Sequence, residues 1–276
     1  MYPYLKIIRP LNTLIAALSV FIAAFLSVNY HFSTQIALAM LVVAFVTAGA
    51  NVINDIFDFD IDRINRPSRI LPAGRMTVNR ARLYYYVLNS TALVVGLWLP
   101  PMLEIIAALA IVALYFYSRY WKKMVLIGNM SVALISAITF LYGALAVNDI
   151  RAGLYPAIFA FFFHFGREVL KDMQDVNGDV QNGAITFAGK YGNRRALILI
   201  NVVFFLLICF LFLPFLQNIY NIYYIYVVVP GVAAVLIVLA VYLWNFRTPA
   251  ALGLASMILK TDMLIGLIAV YAGGKL

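Results

Sequence analysis

Residues Asn51–Asp62 read NVINDIFDFDID and close an otherwise apolar stretch that begins near Ile36. Asn51, Asn54, Asp55, Asp58 and Asp62 recur at helical spacing, so on a helix they share one face. Asp60 points elsewhere, and Ile56, Phe57, Phe59 and Ile61 cover the opposite side. Like charges so placed repel by a few tenths of a kcal/mol per pair, roughly, even on a hydrated helix. Next to lipid, each ionised carboxylate costs roughly 2.5–3.5 kcal/mol at the bilayer centre. Such a face requires cations.

The pattern returns once. Glu168, Asp172, Asp175 and Asp179 repeat the spacing of Asn51, Asp55, Asp58 and Asp62, from 51 to 168, step for step. A single acidic run reads equally well as a solvated helix end, but two with a common period point to a shared chemical task. Carboxylate oxygens suit hard divalent ions, and Mg²⁺ in particular is held by a few carboxylates together with substrate phosphate oxygens.

Composition fixes the environment of these faces. Of 276 residues, 65% are hydrophobic and 11% charged, with mean hydropathy +0.95, whereas soluble domains carry about 25% charged residues. This is the composition of an integral membrane protein, and no polar stretch is long enough for a separate soluble domain. Residues 1–276 are therefore expected to form one all-α membrane domain. Lys6 and Arg9 precede the first apolar run, but no small-residue cleavage pattern occurs before His31, so the first helix is expected to be retained. The single cysteine, Cys209, excludes an internal disulfide.

Nine apolar spans are expected, at Leu11–Val28, Ile36–Asp58, Leu83–Leu99, Met102–Tyr117, Leu126–Val147, Leu154–Lys171, Ala196–Phe215, Tyr223–Leu243 and Leu259–Ala272. Pro100-Pro101 separates the third from the fourth, and Asn245–Met257 reads as an interfacial connection before the ninth. Arg63, Arg66, Arg69, Arg75, Arg80, Arg82, Arg119, Lys122, Lys123, Lys190, Arg194, Arg195 and Arg247 all fall on one side of this stack. By the positive-inside rule that side, with the N-terminus and both acidic faces, is cytoplasmic. The net charge of +9 is thus local to the acids and carries no nucleic-acid signature. Tyr84-Tyr85-Tyr86 and Tyr220–Tyr226 read as interfacial aromatics.

Two loops follow the acidic faces: Asp62–Arg75, rich in arginine and proline, and Asn177–Asn193, rich in glycine. Both are expected to cap the site, since these residues end helices. Arginine forks bind phosphate bidentately. Acids for metal and bases for phosphate at one membrane face imply a diphosphate–Mg²⁺ site opening into a lipid-lined chamber.

Asn54-Asp55-x-x-Asp58-x-x-x-Asp62 and Asp172-x-x-Asp175-x-x-x-Asp179 resemble the two aspartate motifs of the UbiA-type intramembrane prenyltransferases. Tyr117-Ser118, Lys122-Lys123 and Gly128-Asn129 stand where that family has its middle segment. The resemblance implies an all-helical bundle around a chamber, with two Mg²⁺ ions bridging the aspartates to a prenyl diphosphate. It assigns Asn54, Asp58, Asp62, Asp175 and Asp179 to the metal–diphosphate cluster, with Asp55 and Asp172 as supporting metal acids. Arg9-Pro10-Leu11-Asn12, Arg66–Arg75 and Arg167–Asp179 are similar to the archaeal digeranylgeranylglyceryl phosphate synthase branch. That similarity implies a geranylgeranyl diphosphate donor and a lipid-phosphate acceptor, geranylgeranylglyceryl phosphate, and a second ether bond as product. Arg9, Asn12, Arg66, Arg69, Tyr117, Lys122, Lys123, Asn129 and Lys171 are the substrate-binding candidates. The branch often has a basic residue two positions before the second-loop threonine, where this chain has Ala184-Ile185-Thr186.

Metal and bases would offset charge growing on the departing diphosphate, and Tyr115, Tyr117, Phe140, Tyr142 and Phe161–Phe163 offer aromatic faces to an allylic cation. No histidine suits as a base: His31 is in the far loop and His164 reads as packing. An aromatic acceptor of the quinone, haem or chlorophyll type is the alternative substrate class. A cation-coupled transporter would place its acids near the midplane at broken helices, and a lipid-binding scaffold would have no use for paired metal faces.

Overall fold

The computed structural model describes residues 2–27, 31–181, 183 and 185–274, and for 65 and 177–181 the backbone alone. The described chain is helical, with no strand among the described residues. Its helices are α1 (Tyr2–Ile7), α2 (Pro10–Ser27), α3 (Thr34–Phe57), α4 (Phe59–Asn65), α5 (Val78–Gly96), α6 (Pro101–Arg119), α7 (Ile127–Leu145), α8 (Ile150–Gln181), α9 (Phe187–Tyr191), α10 (Asn193–Leu216), α11 (Ile222–Val228), α12 (Ala234–Asn245) and α13 (Pro249–Gly273). A π-type turn, Val229–Ala233, joins α11 to α12 around Pro230, whose missing N–H cannot close an ordinary α turn.

Starts are set by side-chain caps. Ser33, Thr77 and Thr248 accept the N–H of Ile36, Arg80 and Ala251 at 3.3, 3.3 and 3.2 Å. Pro101 and Pro249 occupy first helical positions, where no N–H is needed. Among the described residues, seven helical stretches are long and apolar enough to cross a membrane: Pro10–Ser27, Thr34–Phe57, Pro101–Arg119, Ile127–Leu145, Asn193–Leu216, Ile222–Asn245 and Pro249–Gly273. The sequence also suggests α5 and α8 as spans, but they carry too many polar groups to meet that measure.

Three expectations are corrected. The acidic face of Asn51–Asp62 does not lie on one helix, because α3 ends at Phe57 and α4 starts at Phe59. Asn177–Gln181 is not loop: α8 runs through Gly178, whose cost in a helix of about 1 kcal/mol does not end so long an element. Asn245–Met257 is the expected connection only in part: residues 246–248 lie between helices, and the rest belongs to α12 or α13. Thr248 and Pro249 start α13 there, and the apolar run carries it past Lys260 and a buried Asp262.

The chain divides into two compact units, Met1–Lys122 with Thr139–Gly153, and Lys123–Ile138 with Leu154–Leu276. In the first unit α3 is central, packed along α5, α2 and α6. Near its end a core of Ile7, Ala48, Val52, Ile53, Ile70, Leu71, Met76 and Tyr85 ties the first loop and α1 to α3. Gly49 allows close approach, for a Cβ there would meet Asn89 Nδ2 at 2.6 Å, and Asn89 gives its own donor to the Tyr85 carbonyl at 2.9 Å. In the second unit α13 packs on α11 and α12. The Asn221 N–H and side-chain amide fasten the α10–α11 turn to the carbonyls of Gly273 and Gly274 at 2.9 and 2.8 Å. Leu97, Leu109, Phe205 and Val238 remain exposed on the surfaces of these units, as suits lipid contact.

Candidate functional site

In the first unit the site grows from the end of α3. Asn51, Asn54 and Asp55 occupy its last two turns, and Asp58 is the hinge residue, at φ −88°, ψ 2°. The hydrogen-bond ladder continues through the hinge, since Asp58 N–H donates to the Asn54 carbonyl at 2.9 Å and Asp62 N–H to the Asp58 carbonyl at 2.8 Å. The bend therefore redirects the face without unravelling it. Asp55 and Asp62 are buried, at 5% and 4% exposure, while Asp60 is exposed and outside the cluster.

Cations from three separate segments meet these acids. Arg9, between α1 and α2, pairs with Asp55. Arg69, from the loop after α4, pairs with Asp62 and reaches Asp55 at 3.5 Å. Lys122, just beyond α6, pairs with Asp58 and donates to Asn54 Oδ1 at 3.2 Å, while Asn54 Nδ2 donates to Asp58 at 3.0 Å. Burial pushes the Asp62 carboxyl above the ordinary carboxylate range; Arg69 opposes this, and the neighbouring Asp58 and Asp55 add to the rise. The loop that delivers Arg69 is anchored by buried Ile70, Leu71 and Met76 and turns at Gly74, φ +68°.

The second unit places its motif on unbroken α8. Glu168, 8% exposed, accepts from Arg167 at 3.2 Å and Lys171 at 2.7 Å. Asn129, buried in the first turn of α7, donates to Asp172 at 2.8 Å. Asp175 is half-buried one turn on, and Asp179 lies in the backbone-only stretch. His164 has a buried Nδ1 with no hydrogen-bond partner among the described residues, so it is not simply a satisfied packing group.

Of the sequence candidates, the first unit brings together Asn54, Asp55, Asp58, Asp62, Arg9, Arg69 and Lys122, and the second brings together Asn129 with Asp172 and places Lys171 on the same α8 face. Asn12 and Tyr117 are half-buried on α2 and α6, and Arg66 is exposed after α4. Exposed Lys123 contributes its carbonyl to the Ile185 N–H at 3.0 Å. Sequence reasoning left out of the candidate set Arg167, the cation-holding Glu168, and Asn51, whose Nδ2 donates to the Ile8 carbonyl at 2.9 Å. The shared register of Asn51 and Glu168 was the available signal. Among the described residues no three acidic, histidine or cysteine side chains converge as a ready-made cage. The oxygen donors nevertheless fit Mg²⁺, which commonly completes its shell with substrate phosphate.

A model of the UbiA prenyltransferase family matches residues 14–259. A digeranylgeranylglyceryl phosphate synthase of Sulfolobus acidocaldarius is 38% identical over 206 residues, 74% of this chain and 75% of that protein. The synthase of Methanosphaera stadtmanae is 34% identical over 199 residues, 72% of each chain. A solved structure concerned with digeranylgeranylglyceryl phosphate synthase in membranes superposes with TM-score 0.80 at 31% identity, over 99% of this chain and 98% of that one. A UbiA homologue from Archaeoglobus fulgidus bound to DMAPP and Mg²⁺ has TM-score 0.71 at 21% identity, over 97% and 98%. The chain belongs to the UbiA prenyltransferase family and is an intramembrane prenyltransferase.

Proposed function

We propose that this enzyme transfers a geranylgeranyl group from geranylgeranyl diphosphate to geranylgeranylglyceryl phosphate, forming the second ether of an archaeal-type lipid. The observation that carries the chemistry is the cluster of Asp55, Asp58 and Asp62 with Arg9, Arg69 and Lys122 at the end of α3. Similarity to named synthases over about three quarters of the chain supports the choice of substrates.

Asn54, Asp58, Asp62, Asp175 and Asp179, supported by Asp55 and Asp172, would hold two Mg²⁺ ions and through them the diphosphate. Bound Mg²⁺ supplies neutralisation of the charge that develops on the departing diphosphate. Arg69 and Lys122 hold the first acidic face compact and would then share the phosphate oxygens, with Arg66, Tyr117, Lys123 and Asn129 as further substrate-binding residues. Lys171, beside Asp172, does the same for the second motif. Arg9 and Asn12 take the acceptor phosphate. The acceptor hydroxyl oxygen bonds to the allylic carbon as the carbon–oxygen bond to diphosphate breaks; that bond's electron pair leaves with diphosphate, and the hydroxyl proton passes to a carboxylate near the site or to the diphosphate itself.

Purified protein in lipid, given geranylgeranyl diphosphate with a panel of glyceryl phosphate and aromatic acceptors, should yield the diether phosphate and free diphosphate. A prenylated aromatic product in its place would overturn the acceptor assignment. The whole chain is read as a single membrane domain with its site facing the cytoplasm. Cysteines at Ser68 and Ile185 should then be labelled from that side alone, and one at Asn218 from the other.

A further inference from the structure

Asn51 and Glu168 occupy one place in the two motifs, four positions before Asp55 and Asp172, and neither has a part in the assignments above. Their chemistry differs, yet each engages a cation or the backbone that carries one. Asn51 Nδ2 donates to the Ile8 carbonyl at 2.9 Å, and Thr13 Oγ1 donates to the same oxygen at 2.9 Å. The next residue is Arg9, at φ +51°, a left-handed conformation that an arginine rarely takes. A carbonyl gripped by two donors fixes the peptide plane that joins Ile8 to Arg9. It therefore fixes the direction in which the Arg9 side chain leaves the chain, toward Asp55.

Glu168 acts directly. Its two carboxylate oxygens are taken by Arg167 and Lys171, and its side chain is 10% exposed where that of Lys171 is 36% exposed. A carboxylate engaged by two cations on its own helix is a poor metal donor and a good anchor for a flexible lysine.

We infer that Asn51 and Glu168 are positioning residues: Asn51 sets Arg9 through the Ile8 carbonyl, and Glu168 sets Lys171, so that substrate phosphate meets cations already in place. Preorganisation of this kind moves the ordering cost from binding to folding. The inference rests on the proposed assignment of Arg9 and Lys171 to substrate.

Two double-mutant cycles test it on the full chain in lipid, with KM and kcat measured for each substrate: Asn51→Leu with Arg9→Ala, and Glu168→Gln with Lys171→Met. Asn51→Leu should raise the acceptor KM about tenfold, the scale of one buried hydrogen bond with its orphaned partner. In the Arg9→Ala background it should add less than about twofold. Glu168→Gln should be likewise silent once Lys171 is gone. Thr13→Val, which removes the second donor to the same carbonyl, should move the acceptor KM in the same direction by less, and it carries the first cycle if Asn51→Leu does not fold. Effects that multiply in the doubles overturn the positioning role and leave the roles of Arg9 and Lys171 standing. No kinetic change in Arg9→Ala or Lys171→Met removes that residue's substrate assignment, and its positioning partner with it.

Discussion

The two motifs share a register and solve the same electrostatic problem in opposite ways. The first bends at Asp58 and draws its cations from afar: Arg9, Arg69 and Lys122 lie 46, 7 and 64 positions from the acids they pair with. The second stays on one helix of 32 residues, and Glu168 is balanced by Arg167 and Lys171 within a single turn. Neutralisation of Asp55, Asp58 and Asp62 therefore depends on the tertiary fold, whereas that of Glu168 exists as soon as α8 does. Equal spacing does not mean equal construction.

The widest break in this comparison would come from removing one acid from each motif. Asp58→Asn and Asp175→Asn should each lower turnover by a factor on the order of 10²–10³, the size of a lost electrostatic stabiliser. If both motifs serve one metal–diphosphate cluster, the double variant should lose far less than the product. Chelator should abolish activity in the parent, and retained activity there would remove metal dependence for both motifs together.

Stability should separate the motifs next. Arg69→Ala leaves buried Asp62 and Asp55 without a shared partner, and breaking such a pair costs roughly 3 kcal/mol. Lys171→Ala leaves Glu168 with Arg167, so its loss should be much smaller. Thermal unfolding in detergent compares the two, and equal losses would erase the distinction between tertiary and local neutralisation. Arg9→Ala should raise KM for the acceptor far more than for geranylgeranyl diphosphate, by the equivalent of roughly 1.5–3 kcal/mol; equal rises would move Arg9 to the diphosphate. The smallest effect belongs to the segments after the motifs. Thr186, buried, caps α9 by accepting the Gly189 N–H at 3.2 Å, while Thr77, exposed, caps α5. Thr186→Ala should cost about 1 kcal/mol and Thr77→Ala less.

What could be read in the sequence follows the same division. Hydrophobic runs, Pro100-Pro101 and the repeated spacing are local signals; they announce the helical segments and the common register of the two acidic runs. The break at Asp58 carries no glycine or proline to announce it. The length of α13 was hidden because Lys260 and Asp262 look like loop residues until their surroundings are known. Which arginine meets an acid is a long-range fact: Arg63, Arg75, Arg80 and Arg82 are exposed, while Arg69 from the same region reaches two carboxylates. Tyr84-Tyr85-Tyr86 shows the limit of compositional reasoning, since Tyr85 is buried at 8% and Tyr86 exposed at 59%.

Among the described residues four non-glycine residues have positive φ: Arg9, Leu126, Asn148 and Asn218. Asparagine tolerates that conformation, whereas for the other two the backbone is held against its preference by about 1 kcal/mol. At position 9 the relief is one substitution away, because Arg9→Gly would relax the backbone and also remove the guanidinium that Asp55 holds. A laboratory selection for heat resistance alone would weigh that relief against the lost ion pair, and a selection for lipid synthesis should reject the change at once. Running both on the same library would show how far catalysis and robustness compete at this one residue.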